Sequence, residues 1–240
     1  MAIEVRLKDA PIPETAMRIV VPPAVVLGTD VFDRFLDDNG LRDFAIRSED
    51  DDEIRRRFLT APFPEDICLD LNAFLELARY PLAARSSSLL EDSKYQPFAG
   101  IYQTYMLPNN HPDPSMRLKQ VLAAIKRIFS STFSRHAKAY LQGTPYRLEE
   151  EKMAVILQKV QGAAHGDRFY PDFAGVARSH NFYPTAPMTS EDGIAAVALG
   201  LGRTVSDGGA CVRFCPAYPR HLVQFSSVDD VLQNSQRQFY

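Results

Sequence analysis

The chain has 240 residues, 45% of them apolar, enough to bury a substantial core in one large domain or two lobes. Its 27 basic and 30 acidic residues leave a net charge of −3, which supplies no cationic field for nucleic acid. The most apolar window, Ile194 to Leu201, is too short to span a bilayer, and the run from Ile19 to Leu27 is broken by Pro22 and Pro23.

Met17 to Val21 and Ala24 to Leu27 read as short strands separated by those prolines. Thr29 or Asp30 is then suited to cap a helix through Phe32, Phe35 and Leu36, which Asn39-Gly40 ends. The acidic run Glu49 to Glu53 leads into Ile54 to Phe58, where carboxylates suit a helix N-terminus. From Pro64 to Arg79, Ile67, Leu71, Phe74, Leu75 and Ala78 fall at helical spacing, and Tyr80-Pro81 stops the helix before an apolar strand that delivers Arg85. Asn109 to Pro114 is a loop, and the helix after it puts Leu118, Val121, Leu122, Ile125, Ile128 and Phe129 on one core-facing stripe.

Arg135 to Leu141 is expected to form a further short helix, broken at Thr144-Pro145. Glu149-Glu150-Glu151-Lys152 reads as a solvated charge cluster, because neighbouring residues point in different directions and do not converge on one cation. Ala154 to Val160 reads as a strand. From Gly162 to Pro187 the chain is rich in Gly, Pro, His and aromatics around a strand at Gly175 to Ser179. Gly200, Gly202, Gly208 and Gly209 mark a turn-rich region that contains neither a P-loop nor a dinucleotide fingerprint.

The segment from Leu82 to Gly100 carries the clearest chemical signal. It sets Arg85 after a short apolar run, follows it with Ser86, Ser87 and Ser88, and closes on Gly100. A guanidinium stays charged and presents a planar fork of donors matched to phosphate oxygens, hydroxyls add donors, and glycine lets backbone approach an anion closely. The competing reading is a serine-rich turn in which Arg85 pairs at the surface with Glu91 and Asp92. The five histidines are scattered, and Cys68, Cys211 and Cys215 have no zinc-like partner spacing. Cys211 and Cys215 read as half-buried strand cysteines. Odd, unpaired cysteines and an N-terminus without signal-peptide features point to a cytoplasmic protein.

Arg85-Ser-Ser-Ser, Glu91-Asp92 and Phe98-Ala-Gly100 together resemble the nucleotide-binding signature of the pyruvate phosphate dikinase and phosphoenolpyruvate synthase family. The resemblance continues, in the family's order, through Tyr102 to Pro108, Met153 to Val160, Phe173 to Ala177 and Ala198 to Gly208. It implies an α+β, ATP-grasp-like nucleotide-binding domain of two lobes, incomplete at both ends. Residues 1–107 would form a first lobe with the phosphate-side loop, and residues 108–240 a helical insertion, an adenine-side strand and a glycine-rich region. It further implies that ATP, with Mg2+, phosphorylates a histidine on a separate domain, with a pyruvate- or phosphoenolpyruvate-binding domain as a further partner. Arg85 would then be the catalytic phosphate contact, with Ser86, Gly100 and Thr104 on the phosphate side and Gln158, Lys159, Val160 and Gln161 edging the adenine slot. Arg178 is a second candidate phosphate contact.

The chain departs from the family pattern in two places. It has no Gly-Gly-Lys before its first strand, and no downstream Asp-x-Glu with its glutamine and arginine, so the metal ligands are expected outside it. Two alternatives accompany the leading expectation: a non-catalytic nucleotide-sensing or interaction module of the same fold, and a dikinase acting on a glucan or an antibiotic. Incompleteness also predicts exposed apolar surface and self-association.

Overall fold

A computed structural model describes residues 20–88, 91, 102–142, 144–145, 147–206 and 208–238. The chain divides into two compact units, Met1–Val160 and Gln161–Tyr240.

The first unit is an antiparallel four-stranded sheet with helices against one face. Its strands are β1 (Ala24–Leu27), β2 (Leu82–Ser88), β3 (Tyr105–Leu107) and β4 (Met153–Lys159), in the order β1-β4-β2-β3. Its helices are α1 (Thr29–Asp38), α2 (Arg42–Arg47), α3 (Asp51–Thr60), α4 (Glu65–Leu77), α5 (Pro114–Ser131) and α6 (Arg135–Gln142). Side chains alternate across a strand, so Met153, Val155 and Leu157 of β4 enter the core while Ala154, Ile156 and Gln158 face the other way. The core is aromatic: Phe32 meets Phe129 edge to face with ring centroids 5.0 Å apart, and Phe35 meets Phe58 at 5.8 Å, all four fully buried.

Local chemistry sets the helix ends. Asp50 caps α3 by accepting from the backbone N–H groups of Asp52 and Glu53, each at 3.0 Å. Asp113 caps α5 by accepting from Ser115 N at 2.9 Å, with Pro114 opening the first turn. At α1 neither Thr29 nor Asp30 is the cap: the N-cap position falls on Gly28, with no side-chain hydrogen bond. The expected strand at Met17 to Val21 lies mostly outside the described residues, and Val20 and Val21 are exposed and belong to no strand.

The unit boundary falls after Val160 rather than at residues 107/108, because β4 pairs with both β1 and β2 and so joins the two stretches into one sheet. The expected solvated cluster at Glu149 to Lys152 needs correction. Glu151 is 4% exposed and accepts a hydrogen bond from the Tyr102 hydroxyl, while Lys152 pairs with Asp33 of α1. Tertiary partners outweigh the local charge density.

The second unit holds a hairpin of β5 (Ala163–His165) and β6 (Arg168–Tyr170). It also holds an antiparallel sheet of β7 (Phe173–Arg178), β8 (Ile194–Leu199) and β9 (Val212–Phe214). Short helices α7 (Arg203–Ser206) and α8 (Val228–Asn234) complete it. Among its described residues the buried apolar ones are Ala195, Ala198, Cys211 and Cys215, so both cysteines are buried at the ends of β9 rather than half-buried. The molecule is therefore a mixed α+β protein.

Candidate functional site

Arg85 is the fourth residue of β2, and its backbone pairs with Ile156 of β4. The helices cover the face that buries Leu82, Ala84 and Leu157, so Arg85 lies on the opposite, open face. There it is exposed and donates to Gln158 Oε1 at 3.2 Å. Among the described residues no carboxylate pairs with it, and the surface ion pairs expected with Glu91 and Asp92 have no counterpart at Glu91.

Register brings two further candidates onto the same face. Ala84 pairs with Tyr105, and carrying that register one residue on sets Thr104, exposed, across from Arg85. Gln158 pairs with Ala83 and shares the open face directly. Around these polar groups the face is apolar and open, with Val26 60% and Met106 56% exposed. A charged fork beside apolar strand surface suits a ligand with an anionic tail and a flat apolar body.

The other candidates are placed differently. Ser86 points to the helix-covered side and donates to Glu91 Oε1 at 2.9 Å, so the hydroxyl sharing Arg85's face is that of Ser87. Strict strand alternation, applied to Arg85-Ser86-Ser87-Ser88, would have selected Ser87. Lys159 also faces the covered side, its ammonium 5.1 Å from the Tyr80 ring centre. Its backbone N–H donates to Pro23 O at 3.0 Å, and that of Val160 to Pro81 O at 2.9 Å. Gln161 and Arg178 belong to the second unit, where Arg178 ends β7 and is exposed. Gly100 lies outside the described residues.

Behind the open face sits a buried polar cluster that pattern reading missed. Tyr102, 5% exposed, donates to Glu151 Oε1 at 3.1 Å, and the Ser88 hydroxyl bonds the same carboxylate. Burial, reinforced by the nearby Glu91 charge, pushes the Glu151 carboxyl up from its usual range. Burial and the Glu151 charge likewise push the Tyr102 phenol up. Among the described residues no group of three or more His, Cys, Asp or Glu side chains converges as a metal site, and no helix is long and apolar enough to cross a membrane.

The sequence profile of the pyruvate phosphate dikinase AMP/ATP-binding domain matches residues 7–220. A protein of Bacillus subtilis (strain 168) described as an uncharacterised phosphotransferase, YvkC, is 25% identical over 193 residues, which cover 78% of this chain. The chain spans about a fifth of that relative's length, the aligned part being 20% of it.

Proposed function

This chain belongs to the AMP/ATP-binding domain family of pyruvate phosphate dikinase, and from that premise we propose that it is the nucleotide-binding part of an ATP-dependent phosphotransferase of the dikinase or phosphoenolpyruvate synthase kind. The observation that carries the reading is Arg85: an exposed guanidinium with no carboxylate partner among the described residues, set beside Thr104 and Gln158 on an open strand face. Arg85 grips the phosphate tail, with Ser87 and Thr104 supplying hydroxyls. The base lies along the apolar strand surface toward Gln158. Because the backbone donors of Lys159 and Val160 are engaged, the adenine edge is read by their carbonyls.

In this reading the phosphoryl group of ATP passes to a histidine on another domain of the full enzyme, and Mg2+ accompanies the nucleotide. Mg2+ supplies charge neutralisation on the transferring group, and this chain's own residues bind and orient the nucleotide. Isothermal titration with Mg·ATP tests the proposal. Arg85→Ala is expected to weaken binding by about 1.5–3 kcal/mol, the range for a hydrogen bond to a charged group. Unchanged affinity removes Arg85 from the site, and absence of nucleotide binding by the wild-type chain overturns the reading.

A further inference from the structure

The cluster behind Arg85 has a specific connectivity. Ser88 ends β2 and Tyr102 stands just before Thr104 and β3, on the two strands that carry Arg85 and lead from Thr104. Both reach one acceptor, Glu151, two residues before β4 begins. Glu91 joins the same cluster: its backbone N–H donates to Ser88 Oγ at 3.3 Å and its Oε1 accepts from Ser86. Its Oε2 is buried and has no hydrogen-bond partner among the described residues.

We propose that Glu151 and Tyr102 are positioning residues for the nucleotide site, a buried latch that ties Ser88 at the end of β2 and Tyr102 ahead of β3 to the start of β4. The latch thereby fixes how Arg85 and Thr104 face one another across β2 and β3. This rests on the nucleotide reading of Arg85. Two physical arguments support it. A carboxylate held at 4% exposure near a second carboxylate is costly, and a well-packed apolar side chain of similar volume would commonly be no less stabilising. What such a side chain lacks is two directed acceptor oxygens able to hold the Ser88 and Tyr102 hydroxyls together, and therefore to select a single placement of the end of β2 and the approach to β3.

The test uses the full 240-residue chain and four variants: Tyr102→Phe, Glu151→Gln, Arg85→Ala, and Ile125→Val as a core control remote from the open face. Mg·ATP affinity by calorimetry is read together with amide hydrogen exchange without nucleotide. Loss of one hydrogen bond of the latch is expected to weaken ATP about fivefold or more, while Ile125→Val stays within about twofold despite its own loss of stability. Exchange is expected to quicken at Ser86 to Ser88, Glu91 and Tyr102 in Tyr102→Phe and Glu151→Gln, leaving β1 unchanged. Latch variants that bind ATP as tightly as the wild type, or quicken exchange across the whole unit equally, overturn the proposal. If neither the wild type nor any variant binds nucleotide, the nucleotide reading fails. The latch then stands or falls on the local exchange pattern alone.

Discussion

At the scale of single residues, the role proposed for a side chain of β2 depends on which face of the strand it occupies. Arg85 and Ser87 share the open face, while Ser86 and Ser88 serve the buried cluster, so two chemically identical residues have opposite expected roles. Ser87→Ala is expected to weaken Mg·ATP binding measured by calorimetry, and Ser86→Ala to lower the melting temperature with a smaller effect on affinity. The reverse ranking would place the ligand on the other face. Glu151 gives a prediction with a defined sign. Its folded carboxyl titrates above its ordinary value of 4.5, so between that value and the raised one the folded state binds more protons than the unfolded. Stability contributed by the protonated group is therefore full below 4.5 and declines as pH rises toward the folded value. Urea unfolding at a series of pH values should show the wild type losing stability relative to Glu151→Gln as pH rises through this window, and parallel curves would refute the assignment. None of this was legible in Glu149-Glu150-Glu151-Lys152, because the partner that buries Glu151 lies 49 positions away at Tyr102.

At the scale of elements, helices were legible where apolar spacing and cap chemistry agree. The expected helix after Glu49 to Glu53 is α3, closed at its start by Asp50, and Asp50→Ala should cost about 0.5–2 kcal/mol by thermal unfolding. The stripe expected on α5 is largely the covered face, with Val121, Ile125, Ile128 and Phe129 buried. Leu118 and Leu122 are half-buried against the same core, and Arg117 and Ala124 join the covered face. An arginine at the head of an apolar stripe reads as its boundary, yet Arg117 is 1% exposed and donates to Leu75 O at 2.8 Å, at the C-terminal end of α4. The negative end of the α4 dipole is the environment that accommodates this cation. Asn109 completes the junction from a positive φ of 52°, donating to Ala78 O at 2.7 Å and Tyr80 O at 3.0 Å. Asn109→Ala loses both bonds and strains the left-handed backbone, so about 2–4 kcal/mol of stability should go. Asn109→Gly keeps the backbone conformation and should lose less. Equal losses in denaturant titration would mean that the bonds alone matter.

At the scale of the whole molecule, the two units differ in kind, and the difference bears on what kind of protein this is. The first unit has a continuous core in which Phe32, Phe35, Phe58, Phe129 and Phe133 pack against α3, α5 and the sheet. In the second unit the buried apolar residues are alanines and cysteines, while Phe173, Leu199 and Leu232 are 63%, 60% and 62% exposed. Fully burying a large side chain contributes about 1.5–3 kcal/mol, so a unit whose fully buried apolar side chains, among the described residues, are small has less to set against the entropy of ordering its chain. The sequence pointed to a strand near β7 but not to this imbalance, because a strand assignment does not say whether anything covers its faces. Local opening should therefore be far easier in the second unit. Limited proteolysis under native conditions is expected to cut within Gln161–Tyr240 first and to leave a resistant fragment ending near Val160. The exposed apolar side chains should also make the mass measured by light scattering rise with protein concentration. Early cleavage inside α5 or β4, or a concentration-independent monomer mass, would instead mean that the second unit is as self-sufficient as the first.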